Sequence, residues 1–272
     1  MFGKNKYITV CYTVESDLLK KDFKIAFLTD LHNRTYGKGN EQIYQDICMQ
    51  NPDAVLIAGD MITARDTENP ESTIALLIKI ASEFPVWYAF GNHESKMKFH
   101  PEIYGRQYEI FYRSLEQAGV RFLLNKSEFL EDWNIMLSGL EISGKYYSKT
   151  KKNKMDQQYL EHLLDSDRED EKDKKDKKAF NLLLAHNPEY FKQYAEWGAN
   201  LVLSGHIHGG MIRFGKLGGF ISPSFRLFPY YDGGRYDYKK ATMILSRGLG
   251  MHTIPIRIAN PCELVIINLC KK

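Results

Sequence analysis

The chain has 272 residues, 43% of them hydrophobic and 13% aromatic, and reads as an ordinary folded globular protein with a substantial core. Its 37 basic and 34 acidic residues leave a net charge of +3, too even a balance to argue for a nucleic-acid partner. Four scattered cysteines, Cys11, Cys48, Cys262 and Cys270, have no repeated spacing; they read as free thiols in a reducing compartment, not as a disulfide framework or a zinc knot.

From the start, Met1 to Lys6 lead into an alternating strand pattern over Tyr7 to Val14, with no apolar stretch long enough for a signal peptide or a membrane span. A cytoplasmic location is therefore expected, with a peripheral place at the inner face of the membrane as the alternative. Ile25 to Thr29 is a buried strand, and Asn40 is the expected N-cap of a helix over Glu41 to Gln50, stopped by Asn51-Pro52-Asp53. Ala54 to Ala58 is the next strand, Glu71 to Phe84 a largely buried helix, and Val86 to Phe90 a third strand; this alternation predicts parallel pairing.

A long amphipathic helix is predicted from Glu102 to Ala118, closed by Gly119. Short strands follow at Arg121 to Leu124, Ser127 to Leu130 and Ile135 to Leu140, which are expected to open a second sheet packed on the first. The run from Asp165 to Lys178 carries charges of both signs and no apolar residue, so a solvated surface loop is expected. Strands at Phe180 to Leu184, Leu201 to Ser204, Thr242 to Ser246 and Glu263 to Leu269 complete the pattern, with a short helix from Pro188. The whole, residues 1–272, reads as a single domain.

Six short blocks of metal-seeking residues run through these elements: Asp30-Leu-His32, Gly59-Asp60, Gly91-Asn92-His93-Glu94, His186, His206 and His208. Four of them directly follow an apolar run of strand length, which places charged and imidazole side chains at strand ends, where open sheets build their sites. Asp30 and His32 are two apart, so on a continuing strand both would point the same way and grip one ion. Asp60 after Gly59 adds a carboxylate able to bridge two ions, Asn92 offers a neutral oxygen, and His206 and His208 lie two apart in a glycine-flanked loop. Mixed Asp, His and Asn donors without thiolate suit manganese, iron or zinc in a working site and argue against a structural zinc site.

With these residues together, the chain resembles a calcineurin-like metallophosphoesterase, whose pattern is D-x-H, G-D, G-N-H-D/E, a lone H and G-H-x-H. The segments Leu203 to Gly210, Ser246-Arg-Gly-Leu-Gly250 and Ile254-Pro-Ile-Arg257 are similar to a bacterial branch, many of whose members carry an N-terminal membrane anchor that is not seen here. The resemblance implies an α/β fold, a four-layer α-β-β-α sandwich of two mixed sheets. It implies one divalent ion on Asp30, His32, Asp60 and His208, and a second on Asp60, Asn92, His186 and His206, manganese first with iron or zinc as alternatives. The ions would lie about 3.5 to 4 Å apart and share a bridging hydroxide that attacks phosphorus in line.

His93 would then give a proton to the leaving oxygen, and Glu94 would orient that imidazole. Asn92 and Arg34 are the candidate substrate contacts, Arg34 by a bidentate grip on phosphate, with an ordinary surface arginine as its alternative. Phe228 to Tyr231 is a candidate aromatic wall over the ions or a cover for a sheet edge. Two departures from the pattern stand out: Met211 replaces a common glutamine, and Thr63 stands where purple acid phosphatases carry an iron-binding tyrosine. The expected activity is phosphodiester hydrolysis of a small-molecule or lipid-headgroup phosphoester. A phosphomonoesterase, including a protein phosphatase, is the alternative within the class, and a non-catalytic binding protein that retains the fold the alternative outside it.

Overall fold

In the computed structural model the described residues are 6–65, 69–148, 153–165, 178–210, 212–213, 219–221, 230–251 and 257–272. The first half alternates strand and helix: β1 (Tyr7–Ser16), β2 (Phe23–Leu28), α1 (Glu41–Gln50), β3 (Ala54–Ala58), α2 (Glu71–Ala81) and β4 (Val86–Ala89). Three helices follow, α3 (Asn92–Phe99), α4 (Pro101–Tyr104) and α5 (Gln107–Gln117), then the strands β5 (Arg121–Phe122), β6 (Lys126–Leu130) and β7 (Ile135–Leu140). The remainder comprises α6 (Gln157–Asp165), β8 (Phe180–Ala185), α7 (Phe191–Trp197), β9 (Leu201–Ser204), the short pair β10 (Ile212–Arg213) and β11 (Gly219–Ile221), and β12 (Gly234–Tyr238), β13 (Ala241–Leu245) and β14 (Cys262–Lys271).

Two six-stranded mixed sheets result, in the orders β1-β14-β2-β3-β4-β5 and β12-β13-β9-β8-β7-β6. The central strands are apolar on both faces, so successive residues feed different layers. Ile25 and Phe27 of β2, Leu56 of β3, Leu182 and Leu184 of β8, and Leu201 and Leu203 of β9 meet between the sheets. Ala26, Leu28, Val55 and Ile57 face outward onto Ile43, Ile47, Leu77, Ile80, Phe111 and Leu115 of α1, α2 and α5. On the far side, Leu183, Val202 and Met243 pack on Leu160, Leu164, Phe191 and Tyr194 of α6 and α7. The fold is therefore the expected α/β four-layer sandwich.

Three predicted elements change. The helix expected over 102–118 is broken at Gly105, whose φ of 57° ends α4. The strand expected at 121–124 does not open the second sheet; β5 pairs parallel with β4 at the edge of the first, through Trp87↔Arg121 and Tyr88↔Phe122. Asn40 precedes α1 but does not cap it: its Oδ1 accepts from the Tyr36 amide at 2.8 Å instead. Within the charged run, residues 166–177 lie outside the described residues, as does Met211.

Position follows from direction. β2, β3 and β4 run parallel in one sheet, and β8, β9 and β13 run parallel in the other. Their carboxyl ends carry Asp30, Gly59-Asp60, Gly91-Asn92, His186, Gly205 to His208 and Ser246 to Gly250. Phe27 lies at the centre of the layer between the sheets and is fully buried. Phe27→Ala should destabilise the protein by about 3–5 kcal/mol, read as a lower midpoint in urea denaturation with little change in slope.

Candidate metal centre

At several of these strand ends the backbone turns abruptly. Asp30, His32, Asn33, Asp60, His206 and His208 all have left-handed φ, between 50° and 74°. Asp, Asn and His are the non-glycine residues that tolerate this region best, and clusters of such backbone strain are characteristic of working sites. The strand alternation expected for Asp30 and His32 does not hold, because β2 ends at Leu28 and a turn, not a pleat, brings the two side chains together. Two loops are zipped side by side: the Asp30 amide donates to Gly59 O at 3.0 Å, and the His32 amide to Asp60 O at 3.1 Å. Glycine makes that approach possible, since a Cβ on Gly59 would stand 2.0 Å from the Gly91 amide nitrogen, and one on Gly91 would stand 2.2 Å from Asp60 Oδ1.

The six sequence blocks converge there. Candidate ligand atoms of Asp30, His32 and His208 lie within 4.8 Å of one another, as do those of Asp60, His186 and His206, and a third set joins His32, Asp60 and His93. His186 Nε2 is 3.0 Å from Asp60 Oδ2, and His32 Nε2 is 3.9 Å from the same oxygen, so Asp60 stands between the two groups. Its other oxygen, Oδ1, accepts from the His93 amide at 2.9 Å. Asp30 Oδ1 is 3.4 Å from His208 Nε2 and 3.7 Å from His32 Nε2, while its Oδ2 is held by the Thr29 hydroxyl at 2.9 Å and the His206 amide at 3.0 Å.

The profile of the calcineurin-like phosphoesterase family matches residues 23–210, which span all six blocks. The chain belongs to this family. Similar proteins include the metallophosphoesterase YkuE of Bacillus subtilis, 26% identical over 96% of this chain and 85% of its own, and a Campylobacter jejuni metallophosphoesterase, 29% identical over 94% of this chain and 61% of its own. Among solved structures, the 5'-nucleotidase precursor of Thermus thermophilus superposes with a TM-score of 0.50 at 10% identity, covering 92% of this chain and 54% of the nucleotidase. That likeness is one of fold.

Electrostatics within this calcineurin-like centre follow from burial of charge. Burial pushes Asp30 and Asp60 upward, but the imidazoles around them win and hold both carboxyls below the usual carboxylate range. Burial pushes the His186 imidazole down, and the Asp60 and Asp30 carboxylates outweigh it and lift it to about 10. Asn92 Oδ1 is inaccessible and makes no hydrogen bond, while the equally buried His186 Nε2 faces the Asp60 and Asp30 carboxylates at 3.0 and 3.8 Å, a setting that suits a cation. His186 Nδ1 faces Ala58 O at 2.6 Å, which sets one proton there, so a cation bound at Nε2 would displace only the second proton, the one facing Asp60. All the donors are oxygen or nitrogen, a set suited to borderline-hard divalent ions.

Glu94 corrects the sequence reading. Gly91-Asn92-His93-Glu94 does not continue a strand but starts α3, with Glu94 at its third position reaching back to the Gly91 amide at 3.1 Å. Its carboxylate also accepts from the amides of Asp60 at 2.8 Å and Met61 at 2.9 Å and from the Tyr88 hydroxyl at 2.7 Å. It therefore clamps the Asp60 loop and does not orient His93, whose Nδ1 accepts from the Ala64 amide at 2.8 Å. Burial, and then Asp60, raise the Glu94 carboxyl above its ordinary range.

Arg34 Nη1 contacts Cys262 Sγ at 3.1 Å, and its guanidinium lies 4.9 Å from the Tyr36 ring centre. Of the candidate aromatic wall, Tyr231 packs on Phe191 and Tyr236 at the second sheet, Tyr230 is exposed, and Phe228 and Pro229 lie outside the described residues. Thr63 Oγ1 is 3.4 Å from His32 Nδ1. Two neighbours had no site role in the sequence reading. Tyr147 sets its ring 5.1 Å from that of His206, and Arg257 Nη2 reaches to 3.3 Å from His208 Nδ1. Neither lies in a block of potential ligands, so no spacing signal marks it.

Glu94→Ala should strip the Asp60 loop of its clamp, leaving buried amides unmatched at about 1–3 kcal/mol each. The expected result is a lower melting temperature together with loss of bound metal, whereas Glu94→Gln, which retains one acceptor oxygen, should lose less of both.

Proposed function

We propose that this chain is a phosphoester hydrolase that works with two divalent ions, manganese first with iron or zinc as alternatives, and prefers phosphodiesters of small molecules or lipid headgroups to monoesters. One ion would be held by Asp30, His32, Asp60 and His208, the other by Asp60, Asn92, His186 and His206. The reading includes a single catalytic domain and a reducing, cytoplasmic setting, in keeping with four free cysteines. Among the described residues no helix is long and apolar enough to cross a membrane.

The observation that carries it is the orphaned buried oxygen of Asn92, Oδ1, beside ligand groups that share Asp60. When bound, the ions would supply an activated water and positive charge against the phosphoryl oxygens. The chain's own residues do the rest. His93, accepting at Nδ1 from Ala64, carries its proton on Nε2, from which it can pass to the leaving oxygen. The Glu94 clamp holds the Asp60 loop at the geometry that hydrolysis needs.

The test uses manganese-loaded protein assayed on an aryl phosphodiester and on the matching monoester. We expect about two ions per chain and faster hydrolysis of the diester. Asp60→Asn should lose metal and activity together. His93→Ala should keep its ions and lose about 100- to 10,000-fold in turnover, most for poor leaving groups. Binding of no more than trace metal would favour a non-catalytic role, and preference for the monoester would favour a phosphomonoesterase.

A further inference from the structure

Beside the second group of ligands stands an aromatic side chain that is not itself a ligand. Tyr147 ends the short helical turn Gly144–Tyr147 that follows β7. Its ring centre lies 5.1 Å from that of His206 and 6.2 Å from that of His186, and the two imidazoles are 5.2 Å apart. The tyrosine is half-buried, so part of it stays open to solvent beside the centre.

The turn is held by the residue that follows a ligand. Asn187, buried directly after His186, donates through Nδ2 to Tyr146 O at 3.0 Å, and the Tyr190 hydroxyl lies 3.3 Å from the same oxygen. Asn187 is fixed in turn: its Oδ1 accepts from the Glu189 amide and its carbonyl from the Tyr194 hydroxyl, both at 3.0 Å. The Tyr146 ring packs edge-on against that of Tyr190, centres 5.5 Å apart. With its backbone and its neighbour held, Tyr147 can meet a substrate with little freedom left to lose. Charged side chains described around the turn are engaged elsewhere: Lys145 lies 5.0 Å from the Tyr146 ring centre, and Lys98 of α3 donates to Glu141 at 2.8 Å. What Tyr147 offers beside the ligands is a flat, largely apolar ring.

A phosphodiester carries two organic groups, one that leaves and one that stays on phosphorus. His93, assigned above to the leaving oxygen, belongs with the other group of ligands: its ring centre is 4.9 Å from that of His32. Resting on the phosphodiesterase reading above, we propose that Tyr147 is a specificity-determining residue, whose ring is the wall for the ester group that stays on phosphorus while the leaving group faces His93. Such a wall favours substrates whose retained group is aromatic or otherwise flat and apolar over those with a small alkyl group. An aromatic pair of this kind contributes about three- to tenfold in binding beyond simple burial, and the selection falls on KM more than on kcat.

The experiment holds the leaving group constant and varies the group that stays. Manganese-loaded protein is assayed on the phenyl and the methyl diester of para-nitrophenyl phosphate. Binding of phenylphosphonate and methylphosphonate, whose organic group cannot leave, is measured by calorimetry. The parent should favour phenyl over methyl by about three- to tenfold in kcat/KM, mainly through KM, and to a similar extent in phosphonate affinity. Tyr147→Phe should keep that ratio. Tyr147→Ala should bring it close to one with metal content unchanged by mass spectrometry. Tyr147→Leu, which keeps the bulk without the aromatic face, should also lower it, and decides the matter if the alanine variant fails to fold as judged by melting. Three results would refute the wall while leaving hydrolysis with two ions standing: no phenyl preference in the parent, a preference that survives in the alanine and leucine variants or vanishes in Tyr147→Phe, or a preference lost only together with metal. If the parent turns over neither diester, the hydrolase reading itself falls, and the proposal with it.

Discussion

Three carboxylates, Asp30, Asp60 and Glu94, are buried together where the two sheets end, with at most 2% of each exposed to solvent. Burying like charges side by side is costly unless each meets hydrogen-bond donors or opposite charge, and the surrounding architecture meets that demand. Backbone amides take the outer oxygens: His206 on Asp30, His93 on Asp60, and Asp60, Met61 and Gly91 on Glu94. Imidazoles face the inner ones, His208 and His32 on Asp30 and His186 on Asp60. The left-handed turns at the strand ends aim those amides inward, and two parallel strand triplets from opposite sheets bring the turns within reach of each other.

Much of this was legible in the sequence. Buried strands announce themselves as apolar runs, and β2, β3, β4, β8 and β9 lie within a residue or two of where those runs predict them. The six blocks were visible because potential ligands recur at strand ends, and the fold brings all six to one place. What sequence patterns could not show was set by tertiary contact. β5 is two residues long, and only its pairing with β4 decides which sheet it joins. The start of α3 hides inside a motif whose glycine and asparagine read equally well as a loop.

Glu94 and Arg257 illustrate the harder limit. A glutamate next to a histidine looks like its partner, yet at the third position of a helix the side chain points back along the axis, so Glu94 turns toward Gly91 and the Asp60 loop. Arg257 lies 49 residues beyond His208, and only the folding of the intervening chain brings the two together. Likewise the contacts of Arg34 with Cys262 and the face of Tyr36 join it to a residue 228 positions away, which its place beside the first block does not announce. Neighbourhood along the chain is a poor guide to neighbourhood around a site when the backbone turns through left-handed conformations.

The placement of β14 has a consequence for how the molecule is made. This strand, Cys262–Lys271, lies between β1 and β2, paired parallel with the first and antiparallel with the second. On a ribosome the first sheet therefore remains divided until its last strand has emerged, with an unpaired edge on β1 and another on β2. Pairing across some 240 residues of chain carries a large closure entropy, which makes assembly of this sheet a late and slow event. The loops after β2, β3 and β4 are thus held in a complete sheet only once β14, made some 240 residues after β2, has slotted in beside it.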